Sequence, residues 1–123
     1  MIIRKDGTIE TVSYLDTLYR DEKIYEDYGL NSRTLSVVVK NGKVRMNEVD
    51  SGPACAMMNG GESNSYDRDL YEINFKELMG VLECTTLDNF YAEMRRRFGF
   101  YDGFDRFDKF LEDNKIQFAA YAG

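Results

Sequence analysis

Histidine is absent from this 123-residue sequence, and its absence limits the chemistry that the other side chains can perform. Without imidazole there is no Ser-His or Cys-His nucleophile pair and no histidine-ligated zinc or iron. Carboxylate, lysine and tyrosine side chains remain as catalytic groups, but their spacing matches no catalytic motif. The sequence therefore favours a protein without catalysis and predicts no catalytic residue, cofactor or metal ligand.

A series of aspartates near the carboxyl terminus comes closest to a metal site. Asp102, Asp105 and Asp108 recur at every third position. A calcium loop of the EF-hand type needs oxygen ligands at positions 1, 3, 5 and 12 and glycine at position 6, and that pattern is absent. At this spacing the carboxylates lie instead beside the apolar face of a helix. We interpret them as part of the solvated side of that helix.

Two groups of cations invite a nucleic-acid interpretation. Residues 95–97 are consecutive arginines, so on a helix their guanidiniums point in three directions about 100° apart. Lys40, Lys43 and Arg45 are predicted to share one face of a hairpin, but no aromatic residues alternate with them to stack on bases. The net charge of −6 also disfavours direct contact with nucleic acid.

Acidic residues are the larger group, and we predict that they form a surface for a protein partner. They are concentrated in a predicted first helix, in the 62–72 segment and in the 102–113 helix. The pair Met57-Met58 lies in a predicted loop, where flexible thioethers suit a contact surface. The predicted partner-binding residues are Asp21, Glu22, Glu26, Asp27, Met57, Met58, Glu62, Asp67, Asp69, Asp105, Glu112 and Asp113.

The elements that position these residues begin with two hairpins. Asp6-Gly7 predicts a small hairpin within residues 1–12, and Asn41-Gly42 predicts a type I′ turn between strands 35–40 and 43–49. A two-residue loop pairs Lys40 with Lys43. The cations then share one face of the second hairpin, and the other face carries Val37, Val39, Val44 and Met46.

Helical spacing predicts the remaining elements. Ser13 to Gly29 is predicted to be a helix, because Tyr14, Leu18, Tyr25 and Tyr28 fall on one face. Asn74 and Glu77 form a capping box for a helix with Phe75, Leu78, Met79 and Leu82 inward. Two further helices are predicted, with apolar residues Leu87, Phe90, Tyr91, Met94 and Phe98 in the first and, behind an Asp102 cap, Phe104, Phe107, Phe110 and Leu111 in the second.

The predicted order of elements is β, β, α, β, β, β, α, α, α, β. Residues 66–74 are predicted to be a strand, 51–65 a surface loop, and 116–121 an edge strand. Because helices do not alternate with strands, this order predicts an α+β fold rather than a parallel sheet. We expect a single domain over residues 1–123, with an antiparallel sheet of about 4–6 strands and three or four short helices mainly on one face. Cys55 and Cys84 are expected to be free thiols.

These observations lead to three functional hypotheses. The leading hypothesis is a small acidic cytoplasmic binding or inhibitor protein that engages a basic surface of a protein partner. That partner could be a nucleic-acid-handling protein, blocked by mimicry of nucleic-acid charge as in phage or mobile-element proteins, with salt-sensitive affinity. No apolar run is long enough to span a membrane.

The alternatives come from other classes. A small-ligand module or a carboxylate- and tyrosine-based enzyme would need a partly apolar pocket with at least two convergent acidic or phenolic groups. A structural or homo-oligomeric subunit would leave an apolar patch of the phenylalanine-rich helices or of the last strand exposed.

Overall fold

The computed structural model describes residues 2–3, 9–10, 14–25, 29–52 and 65–122. A two-stranded sheet pairs β1 (Ile2–Ile3) with β2 (Ile9–Glu10). The main sheet contains β3 (Tyr14–Tyr25), β4 (Gly29–Lys40), β5 (Lys43–Ser51), β6 (Ser65–Asn74) and β7 (Ala119–Ala122). Helices α1 (Phe75–Leu82), α2 (Leu87–Phe98) and α3 (Gly103–Asp113) separate β6 from β7. The predicted α+β fold is confirmed.

The main sheet is an antiparallel meander in the order β3-β4-β5-β6-β7. Its helix-facing side and the three helices enclose one core, because alternate strand residues point toward the helices and away from them. The core includes Leu35, Val37, Val39, Val44, Met46, Leu70, Ile73, Leu78, Leu82, Phe90, Met94, Phe98, Phe107 and Leu111. The predicted inward faces of the helices are therefore confirmed.

The second hairpin has the predicted register. Lys40 pairs with Lys43 and Val38 with Arg45 across the Asn41-Gly42 turn, and both turn residues have positive φ. Val37, Val39, Val44 and Met46 are buried at 5% exposure or less. The backbone N–H of Phe75 donates to the carbonyl of Gly42 at 2.9 Å, which joins this turn to the start of α1.

The predicted helix at 13–29 is wrong, because Tyr14–Tyr25 is the long strand β3. Thr17 pairs with Ser36 and Tyr19 pairs with Leu35, so Leu18 is an extra residue in a β-bulge. The bulge interrupts the two-residue alternation and brings apolar residues to spacings of three and four, which resemble a helical pattern. The tyrosines, isoleucine and threonine of this segment are also favoured in strands.

A second irregularity in β6 was not predicted. Val44 pairs with Ile73 and Met46 with Leu70, so the register shifts between them, and Glu72 adopts a left-handed φ of 58°. Because of this shift, Leu70 and Ile73 both reach the core although they are three positions apart along the strand. Tyr71 and Glu72 are left exposed.

The predicted cap of α1 at Asn74 is confirmed, and Thr86 caps α2. The Asn74 side chain accepts from the backbone N–H of Glu77 at 2.9 Å, and that of Thr86 accepts from Asn89 at 3.1 Å. Asp102 makes no side-chain capping bond. Its carboxylate instead accepts from Nε of Arg106 at 2.7 Å, so the predicted Asp102 cap is wrong in detail.

Some predictions lie outside the described residues. They are the turn of the first hairpin, the 53–64 part of the surface loop with Met57, Met58 and Glu62, and the residues Glu26, Asp27 and Cys55. Cys84 is a free, buried thiol, as predicted. None of the helices in the described part of the chain is long and apolar enough to cross a membrane.

Candidate functional site

The turn between α2 and α3 places two aromatic side chains on the surface. A Cβ atom added at Gly103 would lie 1.8 Å from the carbonyl oxygen of Phe98, so only glycine fits at this position of the turn. The backbone N–H of Gly103 donates to the carbonyl of Phe100 at 2.9 Å. This tight turn directs Phe100 and Tyr101 outward, where they are 44% and 52% exposed.

Arg33 of β4 supports the Tyr101 ring. Its guanidinium carbon lies 4.0 Å from the ring centroid, and its Nη1 donates to the Tyr101 carbonyl at 3.1 Å. The same guanidinium donates from Nε and Nη2 to the two oxygens of Asp50, both at 2.7 Å. The Tyr19 ring meets Tyr101 edge-on, with centroids 6.3 Å apart. The hydrogen bonds to Asp50 outweigh burial and raise the pKa of Arg33, so this cation stays charged.

Arg106 of α3 supports the other ring. Its guanidinium carbon lies 4.6 Å from the Phe100 centroid, and its Nε is paired with Asp102 one turn earlier. Both exposed rings therefore rest on guanidiniums that carboxylates hold in place. Cation–π contacts of this kind contribute roughly 0.5–1 kcal/mol at exposed positions.

A buried carboxylate lies behind this surface. Glu48 of β5 is 2% exposed. Its Oε1 accepts from Arg68 of β6 at 2.7 Å and lies 3.6 Å from Nη2 of Arg33. Arg68 continues to Asp105 of α3 at 3.1 Å and lies over the Phe104 ring at 4.2 Å. Ion pairs thus connect the sheet to the beginning of α3.

We name this surface the aromatic patch: Phe100 and Tyr101 with the charged side chains Asp21, Arg33, Asp50, Arg68, Asp102, Asp105 and Arg106, in front of the buried Glu48. Asp21 belongs to it because it pairs with Arg33 in the register of β3 and β4. Four carboxylates and three guanidiniums give the patch a net charge of −1. An aromatic centre with a charged rim is the usual anatomy of a protein-binding surface.

The structure brings together only part of the predicted acidic surface. Asp21 and Asp105 lie in the aromatic patch, and Glu112 and Asp113 are exposed at the carboxyl end of α3. Glu22 lies in β3, paired with Ser32. Asp67 and Asp69 lie on the sheet face opposite the helices, so the described carboxylates do not form one continuous surface.

Asp69 is buried and paired rather than free. It is 5% exposed, and it accepts from Nε and Nη2 of Arg45 at 3.0 and 2.8 Å and from Nδ2 of Asn47 at 2.8 Å. Burial alone would raise the pKa of Asp69, but these hydrogen bonds outweigh burial and lower it. Its negative charge is therefore already compensated within the chain.

The sequence interpretation missed the central residues of the patch. Phe100 and Tyr101 do not fit the helical apolar spacing and are bracketed by Gly99 and Gly103. That combination indicates a turn carrying exposed aromatics and could have identified them. The pairs formed by Arg33 and Arg68 were not predictable, because they depend on which residues of neighbouring strands lie side by side.

Within the described ranges, no three acidic or cysteine side chains are grouped so that they could hold a metal ion. No protein-family model, no characterised protein and no solved structure matches this chain.

Proposed function

We propose that this chain is a small binding protein of the inhibitor type, and that the aromatic patch is the surface with which it engages a basic surface of a protein partner. The observation that carries the proposal is the outward position of Phe100 and Tyr101, each held against an arginine that a carboxylate fixes in turn. Large aromatic side chains held in one conformation lose little entropy on binding.

The charge around the rings supports a basic partner. Asp102 and Asp105 have side chains that are 54% and 67% exposed, so they can accept further contacts from lysine or arginine side chains. Exposed carboxylates of this kind mainly accelerate association and make it sensitive to salt. A nucleic-acid-handling protein presents such a basic surface and is the partner class that we favour.

Site-specific photo-cross-linking in an extract of the source cells tests this proposal. A benzophenone amino acid is placed at Phe100, and a matched control carries it at Tyr121, which is 57% exposed on β7. We expect an adduct with one basic protein from position 100 only. Excess unlabelled chain should suppress that adduct, and the Phe100→Ala/Tyr101→Ala variant should not.

The identified partner is then purified and its affinity measured. We expect Phe100→Ala/Tyr101→Ala to weaken binding at least tenfold, equivalent to about 1.4 kcal/mol, and Tyr121→Ala to leave it unchanged. Asp102→Asn/Asp105→Asn should slow association at low salt and change dissociation little. A partner that binds the double alanine variant as tightly as the native chain, or whose affinity is independent of salt, would overturn the proposal.

A further inference from the structure

The face of the sheet opposite the helices carries an open depression, which we name the open-face groove. Its volume is about 880 Å³, within the range of roughly 300–1,000 Å³ typical of small-molecule sites. Its walls are alternate side chains of β4, β5 and β6 together with Tyr121 of β7. None of the residues of the aromatic patch lines this groove, so it is a separate surface.

One end of the groove is cationic. Lys40, Lys43 and Arg45 lie there beside the Asn41-Gly42 turn. Lys43 lies 3.7 Å from Glu72, with both side chains more than half exposed, and such pairs are weak. Lys40 is exposed and forms no ion pair with any side chain that the structure describes. Positive charge is therefore available here for an anionic group.

The middle and the other end have different chemistry. Tyr71 and Tyr121 are 37% and 57% exposed and offer flat surfaces for a ring. Tyr121 pairs with Asp69, and Asn47 also pairs with Asp69 from the other side. Nδ2 of Asn47 donates to Asp69 at 2.8 Å and to Asp67 at 3.2 Å. The half-buried Asp67 can accept further hydrogen bonds from amino or hydroxyl groups of a ligand.

The spacing of these groups matches a single type of small molecule. Asn47 lies four positions after Lys43 in β5, a distance of about 13 Å along the strand. From the lysines onward, the groove offers cations, then the Tyr71 ring, then the Tyr121 ring level with Asn47, and then the carboxylate of Asp67. An extended nucleotide presents the complementary order of phosphate, ring and amino or hydroxyl donors.

We propose that the open-face groove binds a free mononucleotide, with the phosphate at Lys40 and Lys43, the base against Tyr121, and donor groups of the ligand at Asp67. A free nucleotide is favoured over a nucleic-acid strand, because the chain's net charge of −6 repels a long polyanion. The proposal concerns the sheet face opposite the aromatic patch and is independent of the proposed function.

Calorimetric titration at low salt tests it. The four ribonucleoside 5′-monophosphates are each compared with the matching nucleoside. We expect at least one nucleotide to bind about tenfold more tightly than its nucleoside, and Lys40→Ala/Lys43→Ala to abolish that difference. The control Lys109→Ala/Lys115→Ala removes the same charge from exposed positions at α3 and just beyond it and should keep the difference. Tyr121→Ala should weaken nucleotide and nucleoside to the same degree, and Tyr101→Ala should change neither.

Three results would overturn the proposal. They are no saturable binding of any of the four nucleotides at millimolar concentration, equal affinity for nucleotide and nucleoside, and an undiminished phosphate contribution in the Lys40→Ala/Lys43→Ala variant. A ten-residue single-stranded oligonucleotide distinguishes a free nucleotide from a nucleic-acid strand as the ligand, because both carry phosphate and base groups. Binding of the oligomer no tighter than that of the monophosphate supports the free ligand, and much tighter binding of the oligomer overturns it.

Discussion

Arg68 directs two of its hydrogen bonds toward a single oxygen of Glu48, with Nε at 3.1 Å and Nη2 at 2.7 Å from Oε1. The other oxygen, Oε2, is buried and has no hydrogen-bond partner among the described residues. Glu48 therefore depends on Arg68 and, at 3.6 Å, on Arg33 for its compensation. This arrangement makes the core behind the aromatic patch sensitive to charge.

Replacing Arg68 by methionine tests that dependence. Methionine keeps the apolar contact with Phe104 but leaves Glu48 buried without its nearest cation, which should lower the free energy of unfolding by about 3 kcal/mol at pH 7. In Glu48→Met/Arg68→Met, no buried charge is left unpaired, and most of the loss should be recovered. Urea denaturation measures both variants. The exposed pair of Arg106 with Asp102 provides the control, and Arg106→Met should lose less than about 1 kcal/mol. Equal losses in the single and double variants would contradict the interpretation.

Titration of Glu48 should contribute to the pH dependence of the free energy of unfolding. Burial, the largest influence, raises the pKa of Glu48 above its ordinary value, although Arg68 and Arg33 act in the opposite direction. The folded chain then holds this proton more tightly than the unfolded chain. The contribution to stability is therefore greatest below the ordinary pKa of 4.5 and is lost as the pH rises through the raised value.

The variant Glu48→Gln cannot titrate at this position. We expect its free energy of unfolding to improve relative to that of the native chain as the pH rises from about 4 to 7. Chemical denaturation at several pH values in this range measures the difference. A difference that stays constant, or that changes in the other direction, would show that the ion pairs outweigh burial at Glu48.

Asp69 should behave in the opposite way. The hydrogen bonds from Arg45 and Asn47 outweigh burial and lower the pKa of Asp69, so its stabilising effect is present above 3.8 and is lost as the pH falls through the folded-state value. Asp69→Asn should lower the free energy of unfolding by roughly 1–2 kcal/mol at pH 7. At a pH below the folded-state pKa of Asp69 the native chain and the variant should become nearly equal in stability. A loss that is the same at both pH values would indicate a packing effect and not a charge effect.

Replacing two glycines by alanine should change the free energy of unfolding in opposite directions. In Gly103→Ala the new Cβ would lie 1.8 Å from the carbonyl oxygen of Phe98 and 2.6 Å from Cδ2 of Leu35. We expect a loss of about 2–4 kcal/mol. Gly80 lies inside α1 with no atom within 4 Å of such a Cβ, so Gly80→Ala should gain up to about 1 kcal/mol. Thermal denaturation measures both, and a stable Gly103→Ala chain would disprove the tight turn.

Local patterns predicted the elements whose periodicity is unbroken. The Asn41-Gly42 hairpin, α1, α2 and α3 were predicted because turn chemistry, caps and apolar spacing agree within each segment. The segment of β3 was predicted incorrectly because one bulged residue, Leu18, changes the spacing of its neighbours. The pairing partner β4 forces the extended form, and no local rule contains that information.

The candidate site was predicted less well than the fold. Asp21 and Asp105 were predicted as contact residues, and the structure places Asp21 opposite Arg33 and Asp105 against Arg68. Asp69 was predicted as a contact residue, but it lies beneath Arg45, which neighbours it only after β5 and β6 pair. Contacts between strands decide which charges remain available, and a single sequence does not specify those contacts.

The meander has a consequence for the folding pathway. Each of the strands from β3 to β6 pairs with the strand that follows it in the chain. In contrast, β7 can pair with β6 only after the intervening 44 residues, 75–118, have folded back across the sheet. Closing that segment carries the larger entropy loss, so we expect β7 to dock late. Until it does, the edge of β6 beside Tyr71 can pair with a strand of another molecule. Docking of β7 thus covers the β6 edge and protects the folding chain from edge-to-edge aggregation.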